Sequence, residues 1–401
     1  MKYVIIIPDG AADHPLEDLG GRTPFEAARK PYTDRISLEG RQGTVVTTPE
    51  GMSCGSDVCS LCLLGYDPVR YHKGRAPLEA AALGIELAAA DWVFRVNLIT
   101  VEHGNIIDHS AGHIEDAEGR RLLHDLAARL DLDQIDLHPG VSYRNIMIDH
   151  ARHRDWSDLR TIPPHDVPGE SMRAHLPSRS AHADLLHRMI AESEVLFADH
   201  AVNCARREAG RRPATHVWPW GQGRRPALKS FEERFGLRGA MITAVDLLAG
   251  IARFIGWDRL DVPGQTSYHD TDYAAAGRAA IEALHDYDLV CVHVEAPDEA
   301  GHAADASTKV AAIEAMDVHI VGPLLDTLAT SGEAYRVLYL PDHYTAVGTR
   351  KHDPTPVPFA ACGHRLYSVL QRPFNERNAE ESDLHVSYGH ELMEYFLHSG
   401  L

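Results

Sequence analysis

LVCVHVEAPDEAGH, at residues 289–302, joins an apolar run to a group of chemically active side chains. Apolar residues, many of them β-branched, run from Leu289 to Val294, which is typical of a strand buried on both faces. Pro297 ends this strand, and Asp298 and His302 follow it closely. In an open α/β sheet, functional residues collect just past the carboxyl ends of the strands. The segment therefore predicts a central strand with a functional site at its end.

Asp298 and His302 are four residues apart. If the turn after Pro297 becomes helical, both side chains point the same way and can bind one metal ion. The structural alternative is that Asp298 caps a helix and His302 is a surface histidine, because single motifs give many false positives.

Two further apolar runs end in the same manner. YRVLYL is followed by a proline and then by Asp342 and His343, and YVIII is followed by a proline and Asp9. A third histidine, His352, lies in the proline-rich segment TRKHDPTPVPF, which cannot be a regular helix or a central strand. One metal-bearing edge shared by these strands explains all of the observations.

Ser56 lies in the segment TPEGMSCGSDVC, where Gly55 allows a tight turn and Val58–Leu64 is predicted to be helical. In a structural role, Ser56 or Asp57 would fill the N-cap of that helix. In a catalytic role, the helix N-terminus favours an anion such as a phosphate on the serine oxygen. A metal at this oxygen would lower its pKa and activate it as a nucleophile. Because carboxylate and histidine ligands are also predicted, we favour the nucleophile.

The composition limits the class of protein. The chain has 401 residues, 44% hydrophobic and 24% charged, which is ordinary for a water-soluble protein and long enough for two domains. The formal net charge of −19 disfavours a nucleic-acid partner, because no basic tract offsets the repulsion from phosphates. With no signal peptide and no apolar run long enough to span a membrane, we expect a cytoplasmic protein with no membrane partner.

The order of predicted elements indicates a split core. From residue 209 onward strands and helices alternate, which favours a parallel sheet with helices on both faces. Residues 1–82 and 209–401 are predicted to form this core, and residues 83–208 a smaller inserted α/β domain. Within these segments, Pro24–Leu38 and Ala181–Arg207 are each predicted as one helix, and 220–226 as a glycine-bearing basic loop.

The segments IPDGAADHPLEDLGGRTPFEAA, CGSDVCSLCLLGYDP, YHKGRAPLEAAALGIEL, VHVEAPDEAGH, LPDH and HDPTPVPF resemble the archaeal-type cofactor-independent phosphoglycerate mutases of the alkaline phosphatase superfamily. The resemblance covers nearly the whole chain, with the motifs in the right order. It implies an α/β fold with an alkaline-phosphatase-like three-layer core, a mostly parallel sheet and an inserted lid domain. It also implies two divalent ions, commonly Mn²⁺, with Zn²⁺, Co²⁺ or Mg²⁺ as alternatives. By this resemblance one ion is held by Asp298, His302 and His352, and the other by Asp9, Ser56, Asp342 and His343.

The implied reaction interconverts 3-phosphoglycerate and 2-phosphoglycerate through a phosphoserine at Ser56. Water must be kept from this intermediate, a task that suits the inserted domain as a lid. The substrate is a small phosphorylated three-carbon acid, so its pocket needs arginine forks. The candidates are Arg75, Arg95, Arg144 and Arg224.

Three other functions are compatible with parts of the sequence. A phosphomonoesterase would use the same metals and serine, with water completing the cycle. A phosphotransferase would act on another small alcohol such as homoserine, but no nucleotide-binding loop supports ATP use. A non-catalytic relative would have lost a ligand or the nucleophile, whereas all seven expected positions are filled. The oligomeric state is left open.

Overall fold

The computed structural model of this protein describes residues 1–130 and 132–400. The chain divides into two compact units, which we call unit 1 (1–72 and 228–401) and unit 2 (73–227). Unit 2 is longer at both ends than the predicted insertion 83–208, because a helix before residue 83 packs on its sheet and a strand after residue 208 is part of that sheet. Within the described ranges, no helix combines the length and apolarity needed to cross a membrane.

The strands are numbered in chain order. They are β1 Lys2–Pro8, β2 Arg41–Val45, β3 Trp92–Glu102, β4 Asn105–Asp108, β5 Ile135–His138, β6 Arg144–Asp149, β7 His216–Arg224, β8 Gly239–Ile242, β9 Asp258–Arg259, β10 Leu289–Val294, β11 Tyr335–Tyr339, β12 Tyr344–Ala346, β13 Lys351–Asp353, β14 Val357–Gly363 and β15 His385–Val386.

The helices are numbered in the same way. They are α1 Pro24–Ala27, α2 Pro31–Glu39, α3 Ser56–Leu63, α4 Pro68–Tyr71, α5 Ala76–Ala82, α6 Asp116–Leu130, α7 Ala183–Ala198, α8 Ala201–Glu208, α9 Phe231–Phe235, α10 Asp246–Phe254, α11 Tyr273–Ala283, α12 Ala296–His302, α13 Ala306–Met316, α14 Gly322–Thr330, α15 Glu376–Glu380 and α16 Leu392–His398. A π-helical turn, Asp317–Val321, joins α13 to α14.

Unit 1 is built on one sheet in the order β15-β2-β14-β11-β1-β10-β8-β9. Its centre is parallel: β1 pairs with both β10 and β11, and β10 pairs with β8. Strand β14 runs antiparallel to both of its neighbours, β11 and β2. Every residue of β10 is buried, as is all of β1 beyond Lys2, because helices cover both faces of the sheet. The predicted α/β class with a mostly parallel sheet is confirmed.

Unit 2 has a separate antiparallel sheet in which β3 is central. β3 pairs with β4, β6 and β7, and β5 extends the sheet beyond β6. Helices α6 and α7 pack against this sheet around a core that includes Phe94, Leu122 and Trp156.

Four local predictions were wrong. The proline-rich segment TRKHDPTPVPF contains β13 and the start of β14, and β14 is an interior strand that pairs with both β2 and β11 although Pro358 lies within it. Pro24–Leu38 forms two helices, α1 and α2, because Pro31 holds the preceding Lys30 outside the helical region. Ala181–Arg207 also forms two helices, since His200 adopts an extended backbone and its ring accepts the N–H of Val202 to cap α8. The segment 220–226 is not wholly a loop, because pairing with β3 extends β7 to Arg224.

Candidate metal centre

The predicted ligands lie at one edge of the unit 1 sheet. In the order β11-β1-β10 the three strands are adjacent and parallel, so their carboxyl ends meet at the same edge. Asp9 follows β1, Asp342 and His343 follow β11, and α12 with Asp298 follows β10. Parallel pairing therefore gathers residues that are more than 280 positions apart in the chain.

A small hairpin outside the main sheet brings in the last histidine. Strand β13 pairs with β12 so that His352 lies opposite Thr345, two residues after His343. The rings of His343 and His352 stack with their centroids 3.9 Å apart. The hairpin thus places a ligand candidate from a proline-rich segment beside the sheet edge.

Asp298, His302 and His352 form the first group of candidate ligands. On α12, His302 Nε2 lies 3.3 Å from Asp298 Oδ2, as expected for residues one turn apart. His352 Nε2 lies 3.4 Å from Asp298 Oδ1 and 3.0 Å from His302 Nε2. The three side chains are therefore adjacent, with His302 facing one oxygen of Asp298 and His352 facing the other.

The second group surrounds His343. Its Nε2 atom lies 3.5 Å from Asp9 Oδ1 and 3.4 Å from Asp342 Oδ2. Ser56 is the first residue of α3, and its hydroxyl oxygen lies 3.2 Å from the same nitrogen. The helix N-terminus therefore presents Ser56 to the second group, where its backbone N–H groups favour an anion.

The side chains of the second group fit a divalent cation. Across the described ranges, Asp9 Oδ1 and Asp342 Oδ2 are buried without any hydrogen-bond partner, an arrangement that costs free energy unless an ion binds there. Burial, with the nearby charges of Asp342 and Asp298, raises the pKa of Asp9 well above its ordinary value. A cation would relieve this concentration of negative charge.

In the described part of the chain, three sets of potential ligand atoms lie within 4.8 Å of one another. They are Asp298, His343 and His352; Asp9, Asp342 and His343; and Glu295, Asp298 and Glu299. Mixed carboxylate and imidazole donors suit divalent ions such as Mn²⁺ or Zn²⁺.

Two residues at this edge were missed in the sequence. The hydroxyl of Thr345 donates a hydrogen bond to Asp298, and its oxygen lies 3.2 Å from the Nδ1 atom of His343; no sequence pattern marks this residue. His293 lies within β10, and its Nε2 atom is 2.8 Å from Asp9 Oδ2. As the one polar residue among six buried positions in β10, His293 did carry a signal.

Two of the predicted substrate arginines, Arg75 and Arg95, share one carboxylate in unit 2. Glu79 pairs with Arg95 at 2.9 Å and with Arg75 at 3.3 Å. Arg95 is buried and stacks on Trp220, with its guanidinium carbon 4.2 Å from the ring centroid. Burial lowers the pKa of Arg95 to about 10, so the guanidinium stays charged at neutral pH.

The other two predicted arginines pack on aromatic rings. Arg144 lies over Tyr143 at 5.5 Å, and its charge is close enough to lower the pKa of Arg95 further. Arg224 lies over Trp92 at 4.4 Å. The structure thus brings Arg75, Arg95 and Arg144 into one positively charged region. Arg224 instead stacks on the ring of Trp92.

Unit 2 also contains a cavity of about 720 Å³. Arg75 lines it together with Arg160 and Arg179, which were not selected in the sequence because isolated arginines carry no pattern. Three arginines outnumber the one lining carboxylate, that of Asp158, so this cavity can bind carboxylate or phosphate groups of a small ligand.

Comparison with known sequences gives a consistent result over the whole chain. A sequence model of the 2,3-bisphosphoglycerate-independent phosphoglycerate mutases matches residues 38–203. The chain is 46% identical over 397 residues to 2,3-bisphosphoglycerate-independent phosphoglycerate mutase 2 of Methanothermobacter thermautotrophicus, covering 99% of this chain and 97% of that protein. It is also 46% identical over 393 residues to the enzyme of the same name from Methanothrix thermoacetophila, covering 98% of each.

Solved structures agree on the fold. The PH0037 protein of Pyrococcus horikoshii superposes with a TM-score of 0.83 at 27% identity, covering 99% of this chain and 96% of that one. A cofactor-independent phosphoglycerate mutase from Thermoplasma acidophilum superposes with a TM-score of 0.68 at 24% identity over 99% of both chains. From the identity of 46% over nearly its whole length, the chain belongs to the 2,3-bisphosphoglycerate-independent phosphoglycerate mutase family, whose members are isomerases that transfer a phosphoryl group within one molecule.

Proposed function

We propose that this chain interconverts 3-phosphoglycerate and 2-phosphoglycerate in the cytoplasm, through a phosphoserine formed on Ser56. The observation that carries this proposal is the position of the Ser56 hydroxyl. It lies at the N-terminus of α3 and 3.2 Å from His343, within the group of candidate metal ligands. A serine at this place would be activated by a bound ion and would hold a phosphate at the helix N-terminus.

In the first transfer, the Ser56 oxygen attacks the phosphorus of 3-phosphoglycerate in line with the bond to the substrate C3 oxygen. The new Ser56 O–P bond forms as that bond breaks, and the serine proton ends on the C3 hydroxyl of glycerate. The N–H groups at the start of α3 stabilise the negative charge on the transferred group.

In the second transfer, glycerate stays bound and turns so that its C2 hydroxyl faces the phosphoserine. This hydroxyl attacks the phosphorus, the Ser56 O–P bond breaks, and the serine recovers a proton. No phosphate leaves in the cycle, so water must be excluded between the two transfers. A lid function for unit 2 would serve this need and remains a prediction.

Two divalent ions complete the proposed site, and Mn²⁺ is our preferred identity. Asp298, His302 and His352 would hold one ion, and Asp9, Ser56, Asp342 and His343 the other. When bound, the ions would lower the pKa of the serine hydroxyl and neutralise charge on the phosphoryl oxygens. The unpartnered oxygens of Asp9 and Asp342 support this assignment.

Unit 2 supplies candidates for binding the anionic groups of the substrate. Arg75 is the strongest of the four predicted arginines, because it lines the cavity that also contains Arg160 and Arg179. Arg95 and Arg144 are proposed to strengthen the positive potential of this region. For Arg224, stacking on Trp92 supports a structural role at least as well.

The test is an enolase-coupled assay on 3-phosphoglycerate with Mn²⁺ and without 2,3-bisphosphoglycerate, run beside an assay for released phosphate. We expect 2-phosphoglycerate to form with little phosphate release, and the Ser56→Ala variant to lose this activity. The matched control is Ser60→Ala, one turn later in α3, where a fully buried hydroxyl makes no hydrogen bond within the described chain.

The alternatives predict different results. Phosphate release without isomerisation would identify a phosphomonoesterase. Inactivity in both assays, with metal bound, would point to another phosphorylated small alcohol such as phosphohomoserine. Equal activity in the Ser56→Ala and wild-type proteins would exclude Ser56 as the nucleophile.

A further inference from the structure

His293 lies at the centre of the unit 1 sheet and is not a candidate metal ligand. It is the fifth residue of β10, its side chain is fully buried, and it is paired in register with Ile7 of β1. On its other side, β10 pairs with β8, after which Thr243 follows directly. A polar ring buried at this depth needs partners for both of its nitrogens.

Both nitrogens have partners at short distance. Nε2 lies 2.8 Å from Asp9 Oδ2, and Nδ1 lies 3.0 Å from the hydroxyl oxygen of Thr243. That hydroxyl oxygen also accepts the backbone N–H of Val245 at 3.1 Å. The relay Thr243–His293–Asp9 therefore crosses the carboxyl ends of the three adjacent strands β8, β10 and β1.

The chemistry of the partners indicates one arrangement of protons. An aspartate that binds a cation is ionised and can only accept hydrogen bonds. Nε2 of His293 must therefore carry the ring proton and donate a hydrogen bond to Asp9. In a neutral ring Nδ1 is then an acceptor, and the Thr243 hydroxyl donates to it. Both ring nitrogens of His293 and the hydroxyl of Thr243 then have a hydrogen-bond partner.

This arrangement of protons fixes the orientation of the Asp9 carboxylate. Its Oδ2 atom is held by His293, whereas Oδ1 points toward His343 at 3.5 Å with no hydrogen-bond partner in the described part of the chain. Held in this way, the carboxylate offers one free oxygen to the candidate metal site. Without the donor it could rotate, and Oδ1 would lose its fixed direction.

We propose that His293 is a positioning residue that orients Asp9 for cation binding, and that Thr243 fixes its proton on Nε2. This inference rests on the proposed role of Asp9 as a metal ligand. Partners of metal ligands contribute in this way generally, and their loss costs about 10- to 100-fold in metal affinity or activity.

The experiment measures Mn²⁺ binding to the metal-free full-length protein by electron paramagnetic resonance of the free ion. His293→Leu removes the donor, and we expect the Kd for Mn²⁺ to rise about 10- to 100-fold. His293→Gln places an amide N–H near the position of Nε2, so it should recover most of the affinity. His216→Gln is the matched control, because His216 is also buried beside a threonine hydroxyl but lies in unit 2.

A second measurement, by nuclear magnetic resonance, identifies which ring nitrogen of His293 carries the proton. In wild-type protein with ¹⁵N-labelled histidine, the signals of His293, identified by their loss in His293→Gln, should show Nε2 protonated and Nδ1 bare. Thr243→Val should mix the two tautomers and raise the Kd for Mn²⁺ less than His293→Leu does. These two results test the proposal even if His293→Leu fails to fold.

The outcomes separate this inference from the proposed metal role. An Asp9→Asn variant that binds Mn²⁺ as tightly as wild type would overturn both. Weak binding in Asp9→Asn but wild-type affinity in His293→Leu would overturn the role of His293 alone. A proton on Nδ1 in the wild-type spectrum would also overturn it.

Discussion

Among single residues, Asp342 combines one hydrogen-bonded and one unpartnered carboxylate oxygen at the candidate metal centre. Its Oδ1 atom accepts the backbone N–H groups of Gly10 and His343, while buried Oδ2 has no partner within the described ranges. In Asp342→Asn the amide oxygen can keep both backbone bonds, but an NH₂ group replaces the free oxygen. We expect the fold to persist and the Kd for Mn²⁺ to rise by more than the roughly 100-fold upper range for partners of ligands.

The matched control for this prediction is Asp317→Asn. Asp317 is also a buried aspartate of unit 1, and it accepts backbone N–H groups of Tyr32 and Thr33. It belongs to neither group of candidate ligands, so its substitution should lower stability without changing the Mn²⁺ Kd. Titration calorimetry on both variants measures the Kd for Mn²⁺. Equal Kd values for the two variants would count against Asp342 as a ligand.

Helix α12 depends on close packing at Gly301, between its two candidate ligands Asp298 and His302. A Cβ atom built at this position would lie 2.5 Å from the carbonyl oxygen of Thr345. Alanine favours a helix more than glycine does. Any loss of stability or of Mn²⁺ affinity in Gly301→Ala must therefore come from this collision. We expect a loss of about 1–3 kcal/mol in unfolding free energy and weaker Mn²⁺ binding, because α12 must move away from β12.

Gly348→Ala is the control for the packing argument. A Cβ atom at Gly348 meets nothing within 4 Å, so the same substitution is free of collision there. Urea denaturation and Mn²⁺ titration of the two variants provide the comparison. Wild-type affinity and stability in Gly301→Ala would show that the contact between α12 and β12 is not critical.

Helix α13 is hydrogen-bonded through Lys309 to the segments that follow β1 and β11. Lys309 is fully buried, and its ammonium group donates to Asp13 at 2.8 Å and to the carbonyl of Thr345 at 2.7 Å. It also donates to the carbonyl of Ala12 at 3.2 Å. Burial lowers the pKa of Lys309, but Asp13 opposes this effect and favours the charged form.

We predict that Lys309→Met lowers the unfolding free energy by about 3–5 kcal/mol, because it leaves the Asp13 carboxylate buried without its cation. The double variant Lys309→Met/Asp13→Asn should cost less than the sum of its single changes, since both charges are removed. Urea denaturation of the four proteins at pH 7 measures this coupling. Additive effects would mean that the pair does not act as a unit.

The elements carrying the candidate site could be predicted where a strong local pattern existed. β10 matches its predicted range Leu289–Val294, and the strand ends before Asp9 and Asp342 lie within one residue of prediction. The breaks in Pro24–Leu38 and Ala181–Arg207 were missed because they depend on the backbone at Lys30 and on a histidine cap. Arg160 and Arg179 were missed because tertiary contacts alone bring them to one cavity.

For the whole molecule, the α/β class followed from the order of elements. The limits of unit 2 did not, because β7 pairs with β3, which lies more than a hundred residues earlier in the chain. Family membership rests on motifs spread over nearly the full length and on the identity with its relatives.

The stability of unit 1 as a whole should depend on pH through Glu376, which connects the two ends of the chain. Its carboxylate accepts the N–H of Asp13 at 3.2 Å and the hydroxyl of Thr23 at 2.6 Å. Burial raises the pKa of Glu376 to about 7, so the folded state holds a proton that the unfolded state releases near pH 4.5. Stability from this group is complete below pH 4.5 and is lost as the pH rises through 7, by roughly 3 kcal/mol at about 1.4 kcal/mol per pKa unit.

Glu376→Gln imitates the protonated form, so its unfolding free energy should fall less than that of wild type between pH 4.5 and 8. Urea denaturation of both metal-free proteins across this range measures the difference, with Glu381→Gln as a surface control. Parallel curves for Glu376→Gln and wild type would show that Glu376 titrates normally in the folded protein.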